Sequence, residues 1–113
     1  MKYAQLGNTG LVVSRLSFGA MTFGNDPSIA AVFKVTQEDA QAMVDKALEA
    51  GINFFDTADG YSGGQSEVML GKTLAKRRQD VVIATKVGFR TGEPVTQAGL
   101  SRRDILFSCE QSL

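Results

Sequence analysis

The stretch TQEDAQAMVDKALEAGINFFDT, residues 36–57, decides the fold because it contains a helix and the strand that follows it. Apolar residues recur along its middle with the three- and four-residue spacing of one helix face. Thr36 is a typical N-cap, with Asp39 three residues later, and Gly51 is placed like a glycine that ends a helix. Residues 52–57 are mostly apolar up to Asp56, which predicts a strand.

Strands and helices are also predicted on both sides of this stretch. The predicted elements are a hairpin in residues 1–13, a strand in 16–21, a helix in 66–78, a strand in 81–85 and a helix that begins at Ser101. Strands that alternate with helices predict βαβ units, a parallel sheet and right-handed crossovers. The residues themselves leave two architectures open, a small doubly wound sheet or the first part of a larger barrel.

Composition excludes several classes of protein. The 113 residues are 43% hydrophobic and carry 12 Lys and Arg against 12 Asp and Glu. A neutral chain offers no electrostatic surface for nucleic acid or an anionic membrane, and this apolar fraction argues against disorder. No apolar run approaches the length of a membrane span. With one cysteine and no histidine, we expect no metal site and a reducing, cytoplasmic setting. Cys109 falls on an apolar helical stripe, which predicts a core residue.

Polar side chains follow the second and third strands of the predicted parallel sheet. These are Asp56, Tyr61 and Lys86, and function in such folds gathers at the carboxyl ends of the strands. A free tyrosine, with a pKa of about 10, is a poor acid–base group near neutrality. A lysine ammonium beside it stabilises the phenolate, and a carboxylate orients the lysine. Such a tyrosine can protonate a carbonyl oxygen while a hydride reaches the carbonyl carbon.

Each of these residues also has a structural interpretation. Asp56 could cap a turn, Tyr61 could pack in its glycine-rich loop, and Lys86 could extend to the rim as a solvated charge. Gly19 and Gly24 have the spacing of a phosphate-binding P-loop, but Asn and Asp follow where Lys and Ser or Thr are required. The dinucleotide motif Gly-x-Gly-x-x-Gly is also missing after every predicted strand.

Taken together, four stretches resemble the aldo-keto reductase family: GAMTFG at 19–24, GINFFDTADGY at 51–61, SEVMLG at 66–71 and ATKVG at 84–88. The resemblance implies an α/β fold, the (β/α)8 TIM barrel, with its bottom closed by the N-terminal hairpin. A full barrel of this kind has about 250 residues. Residues 1–113 would then be the hairpin and first three βα units, the N-terminal part of a single NADP(H)-dependent oxidoreductase barrel domain.

The resemblance also implies roles for individual residues. Asp56, Tyr61 and Lys86 match three of the family's four catalytic residues, with Tyr61 as the proton donor. Gly19, Ala20 and Met21 match the loop beside the nicotinamide and its ribose, and Asp56 lies near that ribose as well.

The family's fourth catalytic residue, a histidine after the fourth strand, has no counterpart in this sequence, so we expect residues 1–113 alone to be inactive. The expected partner is a small-molecule carbonyl substrate, without metal, nucleic acid or membrane. Two alternatives stay open: a regulatory nucleotide-binding subunit, and a lyase that forms a Schiff base at Lys86. The sequence does not predict the oligomeric state.

Overall fold

The computed structural model describes residues 1–27 and 34–113. Its strands and helices follow in the order β1 Tyr3–Gln5, β2 Val12–Ser14, β3 Phe18–Gly19, α1 Gln37–Glu49, β4 Phe54–Asp56, α2 Gln65–Leu74, β5 Val82–Ala84 and α3 Arg102–Gln111. Short 3₁₀ segments, Tyr61–Gly64 and Ala75–Asp80, precede and follow α2. In the part of the chain that the structure describes, each helix is too short or too polar to cross a membrane.

Strands β3, β4 and β5 form a parallel sheet in the order in which they occur in the chain. Phe18 pairs with Phe55, which pairs in turn with Ile83. Each strand is shorter than its apolar run predicts, but single backbone hydrogen bonds extend the pairing past the strand ends. The Ala20 amide donates to the Asp56 carbonyl at 2.8 Å, and the Thr57 amide donates to the Ala84 carbonyl at 2.9 Å. The predicted parallel βαβ order is confirmed.

Helices α1 and α2 pack against each other and cover the sheet. The resulting core is apolar, and its largest fully buried side chains include Phe23, Phe55, Leu70 and Leu74. The Phe18 ring lies 5.8 Å from that of Phe23 and 5.7 Å from that of Phe55, both tilted as aromatic pairs prefer. The core therefore extends from the amino end of the sheet, at Val81, to its carboxyl edge.

The N-cap predicted for α1 is confirmed. The Thr36 hydroxyl accepts a hydrogen bond from the Asp39 amide at 3.2 Å and donates to the Asp39 carboxylate at 2.9 Å. Ser101 caps α3 in the same way, accepting from the Asp104 amide at 3.1 Å. Both caps satisfy amides that have no partner within the helix.

Two helical predictions need correction. The helix predicted over 66–78 ends at Leu74, and the basic residues that follow form a 3₁₀ segment. Cys109, predicted to lie in the core, is exposed. The physical reason is the orientation of α3, which turns Asp104 and Ser108 inward. Because these two residues are four apart, they share one face, and the apolar stripe that contains Ile105 is rotated toward solvent.

Strands β1 and β2 form the predicted hairpin, with Ala4 opposite Val13. The hairpin is connected to the chain just before β4 by the Tyr3 hydroxyl, which donates to the Gly51 carbonyl at 2.8 Å, and by two bonds from the Asn53 side chain. Its Oδ1 accepts from the Ser14 amide at 2.7 Å, and its Nδ2 donates to the Val12 carbonyl at 3.1 Å. The Asn53 amide donates in return to the Ser14 hydroxyl at 3.2 Å. The hairpin is thus held by polar groups at the amino end of the sheet.

Replacing Asn53 with Ala removes both side-chain hydrogen bonds and leaves a backbone amide and a carbonyl without their partners. We expect the free energy of unfolding of the whole protein to fall by about 1–3 kcal/mol, with an unchanged slope in urea. Asn8→Ala, in the exposed hairpin turn, is the matched control and should change stability by less than about 0.5 kcal/mol. Equal stability of the two variants would contradict the role of the Asn53 side chain in holding the hairpin.

Candidate active site

The three residues proposed from the sequence meet at the carboxyl edge of the sheet. Asp56 ends β4, Lys86 lies two residues beyond β5, and Tyr61 opens the 3₁₀ segment after β4. The Lys86 ammonium donates to Asp56 Oδ2 at 2.7 Å and to the Tyr61 hydroxyl at 3.1 Å. Lys86 therefore lies between the carboxylate and the phenol, as the sequence pattern predicts.

A backbone oxygen completes the surroundings of the lysine. The Lys86 ammonium donates to the Thr57 carbonyl at 2.7 Å, so each of its three N–H groups has an oxygen acceptor. The ammonium also lies 4.8 Å from the centre of the Tyr61 ring, within cation–π range. Thr57 was missed at the level of sequence, because a backbone carbonyl carries no signal in the residue type.

Opposing effects set the proton affinity of Lys86. Burial lowers its pKa, whereas the hydrogen bonds and charges of Asp56 and Tyr61 raise it, and their combined effect leaves the pKa above its usual value of 10.5. The lysine therefore carries its positive charge throughout the neutral range. A permanent cation beside a phenol stabilises the phenolate form.

The loop that carries Tyr61 is fixed by backbone hydrogen bonds and close packing. The Asp59 amide donates to the Lys86 carbonyl at 3.1 Å. Ser62, directly after the tyrosine, has a positive φ of 50° and is buried. Gly24 packs so closely on it that a Cβ at this glycine would lie 2.3 Å from the Ser62 hydroxyl. These contacts hold the backbone on both sides of Tyr61.

Gly19, Ala20 and Met21, the residues that resemble the family's cofactor loop, differ in their exposure. Gly19 and Met21 are exposed at the end of β3, and a Cβ at Gly19 would meet no atom within 4 Å. Ala20 is fully buried, and its backbone is engaged with Asp56 and Ser66. The open surface beside Asp56 is thus formed by Gly19 and Met21, while Ala20 anchors the turn from below.

An open cleft of about 1010 Å³ lies beside this cluster, between the Asp59 loop, α2 and α3. Asp59 and Glu67 line it, whereas Asp56, Tyr61 and Lys86 do not. Burial raises the pKa of Asp59 above its usual 3.8, and the Glu67 and Asp104 charges raise it further, while the Gly60 amide and the Ser108 hydroxyl offset part of the effect. The cleft therefore begins at a carboxyl group that holds its proton more tightly than usual.

The fold and the site together define the class: a protein of parallel βα units with a cluster of titratable side chains at the carboxyl edge of the strands, where α/β barrels have their active sites. Residues 15–113 match the model of the aldo/keto reductase family. The chain belongs to that family. Its fold is the hairpin and the first three βα units of the (β/α)8 barrel of the aldo-keto reductases.

Individual relatives support the assignment to this family. The chain is similar to the solved aldo-keto reductase AKR11C1 from Bacillus halodurans in its holo form, with 39% identity and a TM-score of 0.79 over all of this chain and 35% of that one. It is also 39% and 38% identical to proteins of Oryza sativa and Arabidopsis thaliana, each named a probable voltage-gated potassium channel subunit beta. The chain spans 33% of the length of these two curated relatives.

The raised pKa of Asp59 predicts a pH dependence of stability. A carboxyl whose pKa is higher in the folded state stabilises that state below the unfolded pKa of 3.8, and this contribution is lost as the pH rises through the folded value. Asp59→Asn should therefore increase the free energy of unfolding at pH 7 and flatten its dependence on pH above 3.8. Urea unfolding of the whole protein over a pH series measures both.

Glu110→Gln, an exposed position on α3, is the control for the loss of one acidic charge. It should leave the pH dependence as in the wild type. A lower stability of Asp59→Asn at pH 7, or a pH dependence identical to that of Glu110→Gln, would contradict the assigned burial of the Asp59 charge.

Proposed function

We propose that this chain carries the acid–base groups of an NADP(H)-dependent carbonyl reductase, an oxidoreductase that converts aldehydes and ketones to alcohols. One observation supports this above all others: the Lys86 ammonium contacts the Asp56 carboxylate and the Tyr61 hydroxyl at the carboxyl edge of a parallel sheet. Membership of the aldo/keto reductase family points to the same reaction class. Residues 1–113 would be the N-terminal part of the barrel domain.

Each of the three residues has a defined task in this proposal. Tyr61 donates its phenolic proton to the oxygen of the substrate carbonyl, and it accepts a proton from the alcohol in the reverse direction. Lys86 stabilises the phenolate that remains, because its charge lies one hydrogen bond away. Asp56 holds the ammonium in place and keeps the local charge balanced. The site needs no nucleophile.

The exposed end of β3 fits the nicotinamide part of the cofactor. Gly19 leaves open space where a side chain would stand, Met21 offers an exposed apolar surface, and the Asp56 carboxylate beside them is 37% exposed. These residues, with Ala20 beneath them, would hold the nicotinamide and its ribose. NADP(H) supplies the hydride when it is bound. A cytoplasmic location belongs to the same proposal, since the exposed thiol of Cys109 suits a reducing compartment.

The two plant relatives favour a second candidate function. Both are named as probable potassium channel beta subunits, which suggests a regulatory subunit that binds the nucleotide and turns over slowly or not at all. NADPH binding to the whole protein by fluorescence, measured together with NADPH consumption in the presence of aldehydes, separates the two functions. Binding without consumption would favour the regulatory function over the reductase.

The charge of Lys86 argues against a Schiff-base lyase. An amine must be neutral to attack a carbonyl carbon, and the raised pKa of Lys86 keeps it protonated. We therefore expect that borohydride treatment with a carbonyl substrate leaves no covalent adduct on Lys86, as measured by mass spectrometry of the digested protein. An adduct that is abolished in Lys86→Met would overturn the reductase assignment in favour of a lyase.

Tyr61→Phe tests the proton donor directly, because it removes the hydroxyl and keeps the ring. We expect the rate of aldehyde reduction by the whole protein to fall by roughly 10²–10⁴-fold, with little change in NADPH affinity. The rate is measured as the loss of NADPH absorbance with a panel of aromatic aldehydes.

The chain offers a matched control in its other tyrosine. Tyr3→Phe removes a hydroxyl that donates to the Gly51 carbonyl at 2.8 Å, at the hairpin end of the fold. It should lower stability modestly and leave turnover unchanged. Near-normal turnover in Tyr61→Phe would show that another group supplies the proton.

A further inference from the structure

A chain of buried hydroxyl groups runs directly beneath the site. The Ser66 hydroxyl lies 2.7 Å from the Ala20 carbonyl and 2.8 Å from the Thr57 hydroxyl. The carbonyl can only accept, so Ser66 must donate its single proton to Ala20. Thr57 must then be the donor to Ser66. The direction of the chain is therefore fixed: Thr57 donates to Ser66, and Ser66 donates to Ala20.

The two ends of this chain belong to the two halves of the proposed site. Ala20 follows β3 and forms the buried part of the turn between Gly19 and Met21. Thr57 follows β4, and its carbonyl accepts a hydrogen bond from the Lys86 ammonium. Ser66, in the first turn of α2, connects the cofactor side of the edge to its acid–base side.

The groups that form this chain of hydrogen bonds are buried, and this makes the loss of any one bond costly. Ser66 and Ala20 are fully buried, and Thr57 is 2% exposed. Water does not reach these groups to replace a lost partner, so removal of the Ser66 hydroxyl would leave the Thr57 hydroxyl without its acceptor and the Ala20 carbonyl with the Phe23 amide, at 3.0 Å, as its remaining donor. Within residues 1–27 and 34–113, the Ala20 backbone makes one other bond across this gap, from its amide to the Asp56 carbonyl at 2.8 Å. Ser66 thus adds a side-chain link from α2 to a turn that the backbone already ties to β4, through this amide and through the pairing of Gly19 with Asp56.

We propose that Ser66 is a positioning residue for carbonyl reduction, which sets the separation between the Gly19–Met21 turn and the Tyr61–Lys86 pair. The inference rests on the proposed function. A hydride and a proton must reach neighbouring atoms of one carbonyl group, so the two sides of the edge must keep a fixed distance. Misplacement by about 1 Å can lower a rate by roughly 10²-fold.

Ser66→Ala in the whole protein tests the inference. We expect kcat for aldehyde reduction to fall by roughly 10- to 100-fold, while KM for NADPH changes far less. With NADPH deuterated at the transferred position, the isotope effect on kcat should rise, because hydride transfer becomes rate-limiting. A merely structural role would lower stability without changing the isotope effect.

Thr73→Val is the control for the loss of a buried hydroxyl from the same helix. The Thr73 hydroxyl donates to the Met69 carbonyl at 2.8 Å and accepts from the Gln37 amide group at 2.9 Å, away from the site. This variant should lose stability and keep the kcat and isotope effect of the wild type. If Ser66→Ala matches it in all three respects, the inference is overturned and the proposed function stands.

If Ser66→Ala does not fold, a second pair of variants tests the positioning role of Ser66. Thr57→Val removes the donor to Ser66 at nearly constant volume, and Thr57→Ser keeps it. Recovery by Thr57→Ser of most of the kcat lost in Thr57→Val supports the inference, and equal kcat in the two variants overturns it. A wild-type protein that consumes no NADPH with any aldehyde overturns the proposed function and this inference together.

Discussion

Parallel pairing of three strands is the constraint on which the rest of the structure depends. In a parallel sheet all carboxyl ends meet at one edge, and the register places Gly19 beside Asp56 and Asp56 beside Ala84. Lys86, two residues after Ala84, can therefore reach the Asp56 carboxylate and the phenol of Tyr61. A shift in register by one residue would turn alternate side chains to the opposite face and separate these groups.

Most of the fold could be predicted from local patterns, and the failures have physical causes. The caps at Thr36 and Ser101 depend on contacts three residues apart, so the sequence alone contains their signal. The orientation of α3 has no such local signal. Its inward face contains Asp104, which is 1% exposed, because the helix packs toward the Asp59 loop. Apolar periodicity predicts the opposite face, and this is why Cys109 was misplaced.

The candidate site also contains some groups that the sequence predicts and others that it does not. Asp56, Tyr61 and Lys86 could be named in advance because charged or phenolic side chains directly after apolar strands are unusual and visible in the sequence. The Thr57 carbonyl and the Ser66 hydroxyl could not, since the first is a backbone group and the second resembles an ordinary residue in a helical first turn. Their contribution comes from burial and direction, which emerge only when the strands and α2 are packed together.

The cluster of Asp56, Tyr61 and Lys86 is built within one βαβ unit, β4–α2–β5, and this explains how a short stretch of chain can specify it. Asp56 and Lys86 are 30 residues apart, and Tyr61 and Ser66 lie between them. The crossover helix returns the chain to the neighbouring strand, so every group needed to hold the lysine is encoded between two adjacent strands. The Gly19–Met21 turn, which we propose to contact the cofactor, comes from β3, outside this unit, and joins it through the Ala20 amide and carbonyl. Under the proposed function, substitutions of Asp56, Tyr61 and Lys86 should therefore act on proton transfer, whereas those of Ser66 and of the β3 end should act on the alignment of the two reactants.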